Sequence, residues 1–409
     1  MTSIDAISLH DPDPTATLWQ HDADELARYV ADPANEWFRR LACAVALAGR
    51  VPEEHVPALI ARIQDVEEDA EVRVPLLDAL GDRAELLPWL RQPERKEEDD
   101  DFGLHEAFLK ARGRLGDRTA TADLAVRAAK PWDVQRGAGE AGLNALADRY
   151  GLPAVLEDLG EARPEDRLAR DLLRHRAGQD ITASLADPDR MVAHQAHLLA
   201  TDPARLRAYL AGRPPVEAAL WAVCALHRLT GDAEETADRY ARLGRPRVEV
   251  PGLPEQVRRA IVHEYAAASE RGTDPRWRLE AICAEPPAPV DVDGQLRRAT
   301  EALGGAGIAF EAPVDAFEHE GTGSGTYHAI RLGEGGTVRV STLGPFVGTL
   351  GEWDRTLDDD SPARTALEQA GFHWVDRATV NRIVTDLCVY WFGRRLPLHV
   401  GTLLYFWQD

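Results

Sequence analysis

Over the first two thirds of the chain, apolar positions recur at spacings of three and four between short polar breaks, a periodicity that predicts helices. Four segments repeat this pattern: "NEWFRRLACAVALAG", "DAEVRVPLLDALGD", "DDFGLHEAFLKARGRLGD" and "DVQRGAGEAGLNALADRYG". Each opens at Asp or Asn, the residues whose side chains cap a helix N-terminus, and most close at Gly or Gly-Asp. Aligned on Arg39, Arg73, His105 and Arg136, the segments are spaced by 34, 32 and 31 residues. Second helices such as "PEEHVPALIARIQD" and "RAELLPWLRQPE" fall between them. Helix pairs this short cannot bury their apolar faces alone, so neighbours must stack, and the pattern predicts an α-solenoid. The pattern runs on less regularly through "EDRLARDLLRHRAG" and "PPVEAALWAVCALHRLTGD" to "LPEQVRRAIVHEYAAASERG".

The stretch "DAEVRVPLLDALGDRAELLPWL" resembles the HEAT and armadillo-like repeat family: an Asp precedes Val-Arg, Ala-Leu-Gly closes the first helix, and a Leu-rich second helix follows. The resemblance covers residues 22–285, after an N-terminal extension of residues 1–21. His105 departs from the Arg position. The resemblance implies a curved scaffold presenting a protein-binding face, in some branches a nucleic-acid-binding one, with Arg73 in a packing role. It implies no catalysis, because a fold alone specifies no chemistry.

A proline-rich stretch at 286–294 reads as a linker. The remainder, 295–409, changes period and predicts an α+β domain. "GQLRRATEALGGAG" reads as a helix, and "TYHAIRL" and "TVRVSTL" alternate as the arms of a β-hairpin. "SPARTALEQAG" and "ATVNRIVTDLCVYWFG" read as helices, the second placing Val380, Ile383, Val384, Leu387 and Trp391 on one face. "LPLHVGTLLYFWQD" reads as a closing strand or hairpin.

The glycine-rich "GTGSGT" that begins at Gly321 invites a phosphate-binding reading. Such loops follow a strand and open a helix, so that the phosphate meets the helix N-terminus. Here a strand follows and no Lys-Ser or Lys-Thr closes the loop, so it reads as the entry to the hairpin. Ser324 lies between Thr322 and Thr326, outside the glycine frame of a nucleophile elbow.

Charge then narrows the function. The 409 residues carry a formal charge of −22, which disfavours nucleic acid, whose binding rests on Lys and Arg at phosphates. It favours a basic protein partner. The four cysteines, Cys43, Cys224, Cys283 and Cys388, form no C-x-x-C pair and read as reduced thiols. The N-terminus has neither the basic start nor the apolar core of a signal peptide, and the apolar run from Leu41 to Gly49 is too short to span a bilayer. The expected location is the cytoplasm.

Candidate chemistry is sparse. His194 and His197 sit three apart on one helix, a spacing that lets two imidazoles share a metal, but no third ligand is near in sequence; they read as polar positions on a repeat helix, and neither a metal nor a cofactor is expected. Glu318, His319 and Glu320 combine an imidazole with two carboxylates but have no nucleophile to serve. No catalytic residue is assigned. The binding candidates are the acidic run Glu97, Glu98, Asp99, Asp100 and Asp101, which would attract a basic partner, and Trp374, Trp391 and Trp407, the residue type enriched at interface hot spots. The expected function is a non-enzymatic interaction scaffold or inhibitor of the immunity type, working through an acidic surface. The alternative is a nucleic-acid enzyme resembling the HEAT-like alkylpurine DNA glycosylases, which would set Arg39, Arg40 and Arg136 against the duplex.

Overall fold

Several helices begin where the sequence places a carboxylate to accept the first free backbone N–H groups, although those of the four repeated segments begin without a side-chain cap. Asp22 accepts from the N–H of Asp24, Asp189 from Met191, Asp202 from Ala204 and Arg205, Asp232 from Glu235, and Asp274 from Arg276. The computed structural model describes residues 4–6, 17–93, 103–267, 270–317, 324–333, 335–349 and 361–408. Among the described residues 59% are helical, with a small sheet region toward the C-terminus. It divides into two compact units, Met1–Ile181 and Thr182–Asp409. No helix among the described residues is long and apolar enough to cross a membrane.

The first unit is built of α1 (Ala23–Ala31), α2 (Trp37–Ala46), α3 (Val56–Gln64), α4 (Ala70–Leu80), α5 (Leu87–Leu90), α6 (Leu104–Arg114), α7 (Thr121–Ala128), α8 (Asp133–Tyr150), α9 (Leu152–Asp158) and α10 (Pro164–Arg176). The helices of the four repeated segments pack in chain order, α2 on α4, α4 on α6 and α6 on α8. Their partners α1, α3, α5 and α7 pack on α2, α4, α6 and α8 respectively. The last of the row lies close enough to require glycine: a Cβ on Gly113 of α6 would stand 2.5 Å from the Cα of Gly142 of α8.

In this row Arg73 is 2% exposed; its Nε donates to the carbonyl of Ile63 at 2.9 Å, and its guanidinium lies over the rings of Trp89 and Phe108. The inward arginine of the preceding helix is Arg40 rather than Arg39. Arg40 is buried and donates to the Glu68 carboxylate at 2.9 Å, whereas Arg39 stays at the surface with Glu36. Arg40, rather than the Arg39 of the sequence alignment, is thus the counterpart of Arg73, since both occupy the fourth position of their helices.

The second unit holds α11 (Arg190–Leu199), α12 (Pro203–Ala211), α13 (Val216–Thr230), α14 (Ala233–Arg242), α15 (Glu255–Ile261), which runs into a π-helical turn at Val262–Ala266, α16 (Pro275–Cys283) and α17 (Val292–Gly305). The expected hairpin is present: β2 (Tyr327–Arg331) pairs antiparallel with β3 (Thr337–Ser341), and β4 (Phe346–Gly348) and β5 (His373–Trp374) extend the sheet in the order β2-β3-β4-β5. A short β1 (Ser324–Gly325) pairs with β8 (Trp407–Gln408). The helix expected in "SPARTALEQAG" is α18 (Pro362–Gln369).

Two expectations for the C-terminal part are corrected. The segment read as one helix with Val380, Ile383, Val384, Leu387 and Trp391 on a face is a single helical turn, α19 (Arg377–Val380), followed by the nine-residue strand β6 (Ile383–Trp391). The closing segment is the strand β7 (Arg394–His399), antiparallel to β6, then a helix, α20 (Val400–Leu404), before β8. One core joins Val257, Ile261 and Trp277 of the helical part to Val384, Leu387 and Leu403 of the C-terminal part. A second core lies between α17, α18 and the four-stranded sheet.

Candidate interaction surface

Helix α2 has more apolar residues than its buried face can hold. Arg40, Cys43 and Ala44 point inward, and the overflow emerges on the other side as Trp37, Leu41 and Val45, each one turn from the last. Trp37 is 42% exposed and Val45 is 38% exposed, with Leu41 half-buried between them. The Trp37 ring meets Phe38 edge-on at 5.9 Å, and the Arg39 guanidinium lies over Phe38 at 5.8 Å while donating to the carbonyl of Ile4 at 2.8 Å and to Glu36 at 3.0 Å. The aromatic end of the stripe is thereby held in one orientation. A further indole in this unit, Trp19, is 46% exposed with the Arg50 guanidinium over its ring at 5.0 Å. Arg50 donates to the carbonyls of Leu18, Trp19 and His21, which pins the segment carrying that ring. The unit Met1–Ile181 as a whole carries 37 Asp and Glu against 23 Lys and Arg.

The residues singled out in the sequence are distributed otherwise. Glu97, Glu98, Asp99, Asp100 and Asp101 lie outside the described residues, as do Glu318, His319 and Glu320. Trp374 is 5% exposed within the core under the four-stranded sheet. Trp391 is half-buried and packs against Phe392 and Phe406 at ring distances of 4.7 and 4.9 Å, and Trp407 is half-buried beside it in the sequence of closing elements. Trp19 and Trp37 escaped the sequence reading, which followed aromatic density. The signal that finds Trp37 is an apolar stripe wider than one helix face can bury.

His194 and His197, read from the sequence as polar positions on a repeat helix, lie in the interior, 1% and 2% exposed. The Nη2 of Arg278 donates to Nε2 of His194 at 2.9 Å and to the carbonyl of Glu270 at 2.7 Å, and its Nη1 lies 3.4 Å from Nε2 of His197. The Nδ1–H of His197 donates to the carbonyl of His194 at 2.6 Å, leaving Nε2 as the acceptor that faces Arg278. Trp221 covers both rings, at 5.8 and 5.1 Å. Burial, and after it the Arg278 charge, pushes His197 down to about 3 and His194 well below its ordinary value. Two neutral imidazoles that accept from one guanidinium are a structural lock. Among the described residues no group of three or more His, Cys, Asp and Glu is placed to hold a metal ion.

A cleft of about 900 Å³ in the first unit is lined by Leu90, Arg91, Phe108, Arg112 and Arg127 among others. Its arginines are engaged from within. Arg91 and Arg112 both bind Asp117, at 2.9 and 2.8 Å, and Arg127 binds Glu106 at 2.7 Å. Burial alone would raise the Asp117 carboxyl; the hydrogen bonds from Arg91, Thr119 and Arg112 outweigh it and hold the group well below the usual range. Arg136 is likewise taken up on its own helix by Asp133 and Glu140.

Compared with known proteins, the chain matches no family model, no curated protein and no solved structure.

Proposed function

We propose that the protein is a non-enzymatic interaction module in which a HEAT-like array of helix pairs presents an apolar stripe within an acidic surface to a basic protein partner. The observation that carries this reading is the exposure of Trp37 and Val45 on one face of α2, with half-buried Leu41 between them, in a unit with a large excess of carboxylates. An oriented tryptophan surrounded by charge is the usual composition of an interface anchor, with the indole supplying affinity and the carboxylates supplying partner choice and encounter rate. The arginines named for the nucleic-acid alternative are engaged instead by carboxylates, Arg39 by Glu36, Arg40 by Glu68 and Arg136 by Asp133.

The test compares wild type with Trp37→Ala and with Val45→Ser as bait, at low and high salt, identifying the bound fraction and assaying it for nucleic acid. The expected result is a basic protein held by wild type at low salt, released by high salt, and lost from Trp37→Ala. Equal retention by the variants, or nucleic acid in the bound fraction, overturns the proposal.

A further inference from the structure

Beyond that surface, the geometry points to a second site: a cleft in the second unit that binds a small organic oxyanion, a carboxylate or a phosphate monoester, between Arg245 and Arg259. The cleft, about 380 Å³, lies among the C-terminal end of α14, helix α15 with its π-helical turn, and the C-terminal end of α16. That volume falls at the small end of ligand sites.

The charges of the cleft fall into two sets. In the first, Glu280 is bound by Arg258 at 2.8 and 2.6 Å and by Arg247 at 2.7 Å, and Arg247 also reaches Glu255 at 3.0 Å. Arg258 is fixed further by the carbonyl of Val248 at 2.9 Å and by stacking over Trp277 at 4.3 Å. These groups neutralise one another and form a rigid wall.

The second set has no such partners. Arg245 makes no ion pair among the described residues, Arg259 reaches only the carbonyl of Glu285 at 3.4 Å, and His263 has no side-chain hydrogen bond there. All three line the cleft, and Glu285 is the single carboxylate of the lining outside the paired set. Two guanidiniums and an imidazole against one exposed carboxylate leave a local positive charge in a protein of formal charge −22. Val262, Ala281 and Cys283 supply an apolar side. The planar guanidinium fork matches a carboxylate or phosphate with two parallel hydrogen bonds.

Two backbone irregularities sit at this cleft. Arg245 has φ +49°, directly after Gly244 at φ +85°. The N–H of Arg245 donates to the carbonyl of Tyr240, so the left-handed pair ends α14 and places the arginine at the cleft. A non-glycine residue held in that region is strained, and such strain clusters at binding sites. His263 sits in the π-helical turn Val262–Ala266, an insertion that re-aims side chains and is frequent at functional sites.

The test is calorimetric titration of the full chain with two probes, inorganic phosphate and benzoate, on wild type, Arg245→Gly, Arg259→Ala and, as a control on the same surface, Arg242→Ala. Arg245→Gly removes the guanidinium while suiting the left-handed backbone, so loss of fold does not obscure its result. The expected outcome is saturable binding of at least one probe by wild type, weakened about tenfold or more in Arg245→Gly and Arg259→Ala and unchanged in Arg242→Ala. Phosphate alone identifies the phosphate monoester, and benzoate alone the carboxylate. Absence of saturable binding of both probes, or equal weakening in Arg242→Ala, overturns the site. Neither result bears on the α2 surface, which lies in the other unit.

Discussion

Arg278 and His194 share a hydrogen bond of 2.9 Å in an interior that leaves the arginine 4% and the histidine 1% exposed. A cation therefore takes an imidazole as its acceptor, and the imidazole must stay neutral. The unfolded chain begins to protonate this histidine and His197 near their ordinary value of about 6.5, whereas in the folded protein His197 is pushed down to about 3 and His194 well below its ordinary value. The unfolded state thus binds more protons below pH ~6.5, and stability, complete above it, falls as pH is lowered. Each histidine contributes up to about 1.4 kcal/mol per pH unit. Urea midpoints between pH 7.5 and 5, before most carboxylates titrate, should fall for wild type and more gently for His197→Asn; a flat wild-type profile would show that the pair is not held neutral.

The Arg40 and Glu68 pair makes a sharper test of burial. The Glu68 side chain is fully buried, and burial pushes its carboxyl up despite Arg40. Arg40→Met should cost about 3 kcal/mol by leaving the buried carboxylate only the longer contact with Arg62 at 3.6 Å and the N–H of Asp69, and the double variant with Glu68→Leu should recover most of that loss. Chemical denaturation of the three proteins decides it, and a double variant no more stable than the single one rejects the pairing.

Close helix contact at Gly113 leaves no room for a methyl group, since the added Cβ would stand 2.5 Å from the Cα and 2.7 Å from the carbonyl oxygen of Gly142. Gly113→Ala should destabilise by about 1–3 kcal/mol through forced separation of α6 from α8. Gly137, whose Cβ would meet nothing within 4 Å, is the control: Gly137→Ala should be neutral or stabilising in the same melting experiment.

At the tip of the β6–β7 hairpin, Trp391 pairs with Arg394, so Phe392 and Gly393 form a two-residue loop with φ +41° and +78°. Such loops favour Asn-Gly. Phe392 is 57% exposed and keeps an edge contact with Trp391 at 4.7 Å, worth less than the left-handed cost of about 1–2 kcal/mol. Phe392→Asn should leave stability unchanged or raise it; a fall of more than about 1 kcal/mol in a melt would show that the aromatic contact outweighs the strain.

Legibility followed the range of the interactions. The Asp or Asn opening each repeated segment did not mark a cap: Asp69 precedes α4 without a side-chain cap, and α2, α6 and α8 follow Glu36, Gly103 and Trp132, which cap nothing. The hairpin of β2 and β3 was written in its alternation. Strand β6 was not. Its inward residues are Val384, Leu387 and Val389, spaced three and then two, because the ladder is irregular between Ile383 and Cys388 where Asp386 takes φ +62°. Across that bulged stretch β6 runs five residues, Ile383 to Cys388, while β7 runs two, His399 to Pro397, and the extra residues break the period of two. What holds that bulge is remote in sequence: Asp386 binds Arg190 at 2.5 Å, and its carbonyl accepts from the N–H of Asp274.

The sequence by itself determined a mainly helical chain, the hairpin and the acidic charge, properties of composition and of neighbours within a few residues. Only the tertiary structure decided that Arg40 rather than Arg39 turns inward, that Trp374 is core while Trp37 is surface, that two histidines share one buried arginine, and that Arg245 and Arg259 line the same cleft. Those outcomes depend on which faces are covered by residues tens to hundreds of positions away, and burial is a property of the packed chain that no local pattern carries.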